Sequence, residues 1–376
     1  MDVQLSDEQR LLQDSVERLI EREYSFEQRS QILSEPDGFS RSLWENFAEL
    51  GWLGVSVAER HGGLGGGATE NALICEGLGR AMALEPFVST IGMGARALAL
   101  SDEAARADQH LPEVVSGKRL ISLAYAEEAS RYDTHHVETT ADMRGNQVTV
   151  TGRKQVVFDA PSADWFVVSA RADGDQRDRV GIGLYLVERG ADGLAISPFT
   201  LMSGARAGAI ELNNTPAETL VSPERGWQRL EQVLDWAIAA KCAEAVGAMN
   251  AAFEQTLEYV KTRKQFGSPI GQFQVVQHRM VDMYMRVKES RSMMHMVANG
   301  VASDEPARSR QSASAAKAFI GQRARAVAQD IVQLHGGVGM TEELSIGHYF
   351  RYLTLFCTAL GSTDYHLQRY AELSTA

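Results

Sequence analysis

The sequence predicts an α+β chain built as three consecutive domains, helical, then β, then helical. Three observations predict it. Apolar residues recur at helical spacing through the first hundred or so residues. Short β-branched and aromatic runs separated by turn residues follow, and long helical periods then return and persist to the end. We place the domains at 1–118 (all-α), 119–225 (β) and 226–376 (helical bundle).

Each element has a local reason. Ser6 followed by Gln9 has the form of a capping box, and Leu11, Leu12, Val16, Leu19 and Ile20 share one helical face behind it. Trp44, Phe47, Leu50 and Leu53 continue the period. The glycine run from His61 to Gly67 resembles a phosphate loop only superficially. No strand precedes it and no GK[ST] follows, so it reads as a flexible turn before a helix from Thr69 to Met82. Val148–Val150, Val156–Val157, Trp165–Val168 and Ile182–Val187 are β-rich runs, with Arg144–Gln147 as a hairpin turn. Strands at that spacing with no helix between them predict an antiparallel barrel or sandwich. Helices are expected over Gly226–Thr262, Gln274–Ala302 and Ala307–Leu334, long elements that fit a four-helix bundle.

Composition narrows the function. Of the 376 residues 44% are apolar and 23% charged, an ordinary globular balance. Lys and Arg total 37 against 49 Asp and Glu, a net charge of −12, which argues against binding nucleic acid or an anionic membrane. Cys75, Cys242 and Cys357 are isolated and set in apolar sequence, so buried reduced thiols in a cytoplasmic protein are expected, with neither a disulfide framework nor a zinc site. The first residues show no basic and apolar leader, and no window approaches 18 uninterrupted apolar residues, so neither a secretory signal nor a membrane span is expected.

Two segments carry more. Thr262-Arg-Lys-Gln-Phe-Gly267, continuing into Ser268-Pro-Ile-Gly-Gln-Phe-Gln274, and Gln333-Leu-His-Gly-Gly-Val-Gly-Met-Thr-Glu342 resemble the two hallmark segments of the acyl-CoA dehydrogenase family. Their order and separation agree with that family, as does the Glu59-Arg-His-Gly-Gly-Leu-Gly65 turn, and the resemblance spans essentially the whole chain. It implies FAD held at subunit interfaces and α,β-desaturation of an acyl-CoA thioester. A carboxylate then takes the α-proton while the β-hydrogen leaves as hydride to the flavin, and electrons pass on to an electron-transfer flavoprotein. On their own chemistry, Arg263 offers a fork of donors suited to pyrophosphate, and Gln265, Gln274 and Gln333 offer neutral amides. Phe266 offers a flat apolar wall, and Gly336 and Gly337 let backbone approach a nucleotide where a Cβ would clash. A plainer reading makes Arg263 a helix C-cap and the glycines helix ends. The resemblance implies that these groups reach a neighbouring subunit's FAD.

The chain also departs from the family. The usual base, a Glu in a Tyr-Glu-Gly turn, aligns with Leu360, and the alternative base position on the helix before Arg263 aligns with Ala237. Neither takes a proton. Glu244, seven residues from Ala237 and on the same helix face, is a candidate relocated base, though it lies roughly 10 Å along the axis and equally suits a structural carboxylate. Asp364 is a weaker candidate and a possible helix cap. The family's Thr-Glu-Pro-Gly-Ala-Gly-Ser-Asp segment aligns with Ala126–Asp133, losing hydroxyls at Ala126 and Tyr132, and its Trp-Ile-Thr flavin wall aligns with Val156–Phe158. One asymmetric arrangement accounts for both losses. The chain resembles small subunits of heteromeric members, of the pimeloyl-CoA dehydrogenase small-subunit type, in α2β2 assemblies whose larger subunit keeps base and flavin wall. A homo-oligomer, dimer of dimers, is the other arrangement the family implies.

Three remaining features invite overreading. His135 and His136, adjacent in an expected strand, point to opposite faces and do not chelate one ion. Met280, Met283, Met285, Met293, Met294 and Met296 are expected mainly in a bundle core. Glu342 and Glu343 are expected at a helix start.

Overall fold

The computed structural model describes residues 5–145, 147–303 and 305–375. α1 (Asp7–Glu23) opens on the expected capping box, with the Gln9 N–H donating to the Ser6 hydroxyl at 3.1 Å and the Ser6 N–H to the Gln9 side chain at 3.0 Å. α2 (Phe26–Leu33) and α3 (Arg41–Glu49) follow. The period through Trp44 and Phe47 stops at Leu50, which caps α3, and Leu53 lies in a short 3-10 turn. α4 (Ala68–Ala81) is followed by a π-helix over Val88–Ala95, which runs directly into α5 (Arg96–Ala99), and then by α6 (Ala104–Val115). The glycine run before α4 is tied down rather than flexible. The N–H groups of Leu64, Gly65 and Gly66 donate to the carbonyls of Gly54, Val57 and Val55 at 2.8, 2.8 and 2.9 Å. A Cβ on Gly63 would sit 2.1 Å from the Val57 oxygen, so glycine is there for close backbone approach.

The β region consists of β1 (Ile121–Ala124), β2 (Thr140–Arg144), β3 (Gln147–Phe158), β4 (Trp165–Arg171), β5 (Ile182–Glu188), β6 (Leu194–Thr200) and β7 (Arg206–Val221). They form one sheet in the order β1-β4-β2-β3-β7-β5, with β6 on β7 and β5 returning to β4. That return closes β4, β2, β3, β7 and β5 into a ring, which removes most free edges. Most pairings are antiparallel, but β1 runs parallel to β4, and Thr140 of β2 meets Arg171 of β4 in parallel sense. Val150, Val157, Phe166, Val168, Tyr185, Val187, Ile210 and Leu212 fill its interior. β2 and β3 pair as far as Arg144 and Gln147; Asn146 of the expected turn lies outside the described residues.

The remaining elements are α7 (Gly226–Thr262), the two-residue strands β8 (Lys264–Gln265) and β9 (Ser268–Pro269), α8 (Gln274–Val301), α9 (Pro306–His335), α10 (Ile346–Phe356) and α11 (Thr363–Thr375). Two compact units interleave along the chain. One comprises Met1–Gln31, Ala68–Ala83 and Ile238–Ala376, the other Ile32–Gly67 and Leu84–Ala237. In the first, α4 and α7 cross at backbone contact. A Cβ on Gly79 would lie 2.0 Å from the Glu244 oxygen and one on Gly247 1.9 Å from the Glu76 oxygen. Met280, Met283 and Met294 are buried there, whereas Met285 and Met296 face outward. Cys75 and Cys242 are buried free thiols; Cys357 is only half-buried and donates to the Leu353 and Gly321 carbonyls. Among the described residues no helix is long and apolar enough to cross a membrane, and no group of His, Cys, Asp and Glu is gathered to hold a metal.

Candidate functional site

The hallmark residues gather at one end of the bundle. α7 ends at Thr262, and the chain turns through the β8–β9 hairpin, pairing Lys264 with Pro269 and Gln265 with Ser268. Its tip, Phe266–Gly267, has φ of +51° and +83°. A phenylalanine in that region costs about 1–2 kcal/mol, and its ring is 94% exposed, touching only Phe273 edge-on at 6.3 Å among aromatic neighbours. The Tyr259 and His335 rings stack at 4.1 Å, and the Tyr259 hydroxyl reaches the His335 carbonyl at 3.4 Å. This stack joins the end of α7 to the end of α9 and so brings Arg263 and Gly336 to the same end. Burial keeps His335 below its ordinary pKa, against the pull of its hydrogen bond to Ile331, so the imidazole packs neutral.

All seven predicted cofactor residues lie exposed here. The Arg263 backbone is fixed, its N–H donating to the Tyr259 carbonyl and its carbonyl accepting from Ile270, both at 2.8 Å. Its guanidinium has no hydrogen-bond or ion-pair partner among the described residues, so the helix-cap alternative has no bond to support it. The Gln274 and Gln333 amides are likewise unengaged, while Gln265 bonds only to the adjacent Lys264 carbonyl at 2.8 Å. Gly336 has φ +65°, and a Cβ on Gly336 or Gly337 would meet nothing within 4 Å. The expected clash is therefore absent within the chain, and both glycines face open space. An open groove of about 410 Å³ lies alongside, lined by residues including Val260, Pro269, Gly271, Val276 and Met280. A guanidinium, three neutral amides, an exposed ring and two bare glycines on preset backbone are a donor set that fits a dinucleotide such as FAD.

The positions for a base tell a different story. Leu360 has φ +58°, followed by Gly361 at +113°. The turn is held from beneath. Buried Lys317 donates to the Phe356 and Gly361 carbonyls at 2.7 and 2.9 Å, and the His366 ring donates from Nε2 to the Leu360 carbonyl at 2.8 Å. Burial lowers Lys317 to about 8 and His366 to about 3. The strained turn is thus built and braced, yet it carries a side chain that accepts no proton. Ala237 is fully buried and apolar. Glu244 is already engaged, its Oε2 accepting from Lys241 Nζ at 2.7 Å and from the Tyr352 hydroxyl at 2.9 Å. Asp364 is exposed in the first turn of α11 and is not its cap; the Ser362 hydroxyl accepts the Tyr365 N–H at 3.2 Å instead.

In the β region, Ala126 and Tyr132 lie half-buried in the loop before β2. Val156 bulges out of β3 with φ +52° and 44% exposure. The same loop contains a clasp the sequence reading passed over. Lys154 Nζ donates to Glu127 at 2.6 Å, with side chains only 0% and 4% exposed. Glu127 also accepts from the Glu138 and Thr139 N–H groups and the Thr139 hydroxyl at 2.7, 3.1 and 2.6 Å. Burial pushes the Glu127 carboxyl up, but Lys154 and these hydrogen bonds outweigh it and hold the carboxyl below its usual range. The signal available in the sequence was a lone lysine inside an alternating strand. His135 and His136 sit in this loop rather than in a strand and pair separately, with Asp133 at 2.6 Å and Glu138 at 3.9 Å. Glu342 does not start a helix, because α10 begins at Ile346. It binds Arg351 and His348, each at 2.7 Å.

Comparison with known proteins agrees with this geometry. The chain matches the acyl-CoA dehydrogenase N-terminal domain over residues 6–118, the middle domain over 122–215 and the C-terminal domain over 224–374. It is 27% identical over 372 residues to the probable acyl-CoA dehydrogenase YngJ of Bacillus subtilis, covering 97% of each chain. Among solved structures, it resembles the Tcur3481–Tcur3483 steroid acyl-CoA dehydrogenase (28% identity, TM-score 0.90, 98% of both chains). It also resembles the ChsE4–ChsE5 complex of Mycobacterium tuberculosis (25% identity, TM-score 0.90, 100% of this chain and 99% of that one). With matching domains along almost its full length, the chain belongs to the acyl-CoA dehydrogenase family, FAD-carrying oxidoreductases that act on the CH–CH bond of acyl-CoA thioesters.

Proposed function

We propose that this chain is the subunit without a base in a heteromeric α2β2 acyl-CoA dehydrogenase, and that it completes the FAD site of a homologous larger subunit. One observation carries the reading. The residues a subunit lends to its neighbour (Arg263, Gln265, Phe266, Gln274, Gln333, Gly336 and Gly337) are present and exposed, with the Arg263, Gln274 and Gln333 side chains unengaged among the described residues, while the base position holds Leu360 on a turn that is otherwise intact. FAD, when bound, supplies the hydride acceptor. Arg263 then neutralises pyrophosphate charge, the glutamine amides fix the nucleotide's orientation, and the Phe266 ring covers an apolar face of the cofactor from water. Proton abstraction falls to a carboxylate of the larger subunit, since Glu244 is held by Lys241 and Tyr352. The two similar solved structures are both named as pairs of proteins, which supports a two-chain assembly. An acyl-CoA is the substrate and an electron-transfer flavoprotein the electron acceptor.

The test is expression of the chain alone and together with a larger homologous subunit. Alone it should purify with little flavin and negligible desaturase turnover; together the complex should be yellow and active. Full flavin and robust turnover from the isolated chain would overturn the proposal. Arg263→Ala in the complex separates completion of the site from a purely scaffolding role, because only the first loses flavin.

A further inference from the structure

Arg96 is a lone cation at the end of the apolar π-helix Val88–Ala95. Its guanidinium carbon lies 4.5 Å from the centre of the Trp236 ring on α7. Arg96 Nε is buried without a hydrogen-bond partner, and so is the indole Nε1 of Trp236, a residue only 6% exposed. Arg96 is half-buried, and the two arginines that are fully buried are provided for. Arg29 donates to the Met82 carbonyl at 2.8 Å and meets His348, and Arg171 donates to the carbonyls of Val137, His135, Asp173, Gln176, Asp178 and Val180. Arg96 has no carboxylate or carbonyl partner among the described residues. The charge that acts on it is of its own sign, that of Arg229, and burial and this repulsion together lower its pKa. Arg229 stands two turns before Trp236 on the same face of α7 and is tethered by its bond to Gln232 at 2.9 Å. Arg96, Arg229, Gln232 and Trp236 all belong to the same compact unit.

Arg96 Nε and Trp236 Nε1 are both unsatisfied donors, and the Arg96 and Arg229 charges are both positive. An assembly of that kind is costly when left empty, and an anionic acceptor corrects it. We propose that Arg96, Trp236 and Arg229 form an oxyanion-binding site for the ligand, with Arg96 as the residue that determines specificity. A guanidinium stacked on an indole presents its edge donors in a fixed plane, the geometry that takes up a carboxylate or a phosphate. On the acyl-CoA reading above, that oxyanion is either a carboxylate at the far end of the acyl group or a phosphate of coenzyme A.

Titration of the purified chain, followed by calorimetry and tryptophan fluorescence, tests this without any flavin. Its outcome is therefore separate from that of the two-subunit reading. The probes are coenzyme A and glutarate, with the uncharged diamide glutaramide as the control that should not bind. We expect one of the two probes to bind the wild type, Arg96→Met to weaken it at least tenfold, and Arg96→Lys to recover part of the loss. Binding of glutarate identifies the acyl carboxylate as the source, and binding of coenzyme A identifies the phosphate. Without ligand, Arg96→Met should melt close to the wild type, since no hydrogen-bond or ion-pair partner is lost and the methionine side chain still covers the Trp236 ring. Failure of both probes to bind the wild type, equal binding to wild type and Arg96→Met, or a marked drop in the melting temperature of unliganded Arg96→Met would each overturn the assignment.

Discussion

The Glu127–Lys154 clasp in the β region and the Arg263–Gln333 rim at the bundle end are both polar, and their polar groups end up in opposite conditions. In the clasp every donor finds an acceptor within the chain, and Lys154 also reaches the Ser169 hydroxyl at 3.1 Å. In the rim the backbone is fixed but the side chains are left open to solvent. A buried charge must be satisfied by the fold or it destabilises it, so the clasp serves the architecture. An exposed guanidinium without a partner costs the fold little, so the fold gives no reason for its place, and the proposed FAD contact supplies one. The contrast separates polar residues that hold the molecule together from those that face a ligand.

The largest effect should come from breaking the clasp. Glu127→Ala strands Lys154 and three other donors and should cost about 3–5 kcal/mol in urea unfolding. A loss near zero would erase the distinction. Arg263→Ala should do the reverse: stability of the isolated chain should change by less than about 0.5 kcal/mol. Flavin retention in the two-subunit complex, read by absorbance after gel filtration, should fall tenfold or more.

The Leu360 turn lies between these extremes, half-buried itself but held by Lys317 and His366, which are buried like the clasp. His366, neutral in the fold with a pKa of about 3, takes up a proton on unfolding below its ordinary value of about 6.5. The unfolded state therefore binds more protons between those limits, and stability should fall as pH drops from about 6.5 towards 3. His366→Gln should flatten that part of the stability–pH curve; an unchanged slope would show that other groups dominate. The smallest effect is expected at the rim's tip. Phe266→Gly relieves the positive φ and should raise the isolated chain's stability by about 0.5 kcal/mol, the gain being offset by glycine's freedom in the unfolded state. The same change should weaken flavin retention in the complex.

Much of the architecture was legible because it rests on local patterns. The α7 limits agree with those expected from periodicity, α8 differs from expectation by one residue at its end, and α9 by one residue at each end. β7 was not legible. Its sequence carries Asn213-Asn214-Thr-Pro216, which reads as a turn, and Asn214 does adopt φ +48°. The strand persists because β3, β5 and β6 all pair with it. Glu342 misled for a related reason: an acidic pair before a helix suggests a helix start, but Arg351 and His348 drew Glu342 into an ion cluster instead.

Sequence alone determined the helical and β order, because periodicity is a property of the chain itself, while the choice of the seven rim residues and of Leu360 and Ala237 as the empty base positions came from the resemblance of its motifs to a family. Only the tertiary structure decided that the rim is open, that Glu244 is already held, that Lys154 has a buried partner and that Arg96 has none. Those facts depend on which distant groups packing brings within a few ångströms, and a single sequence does not record that.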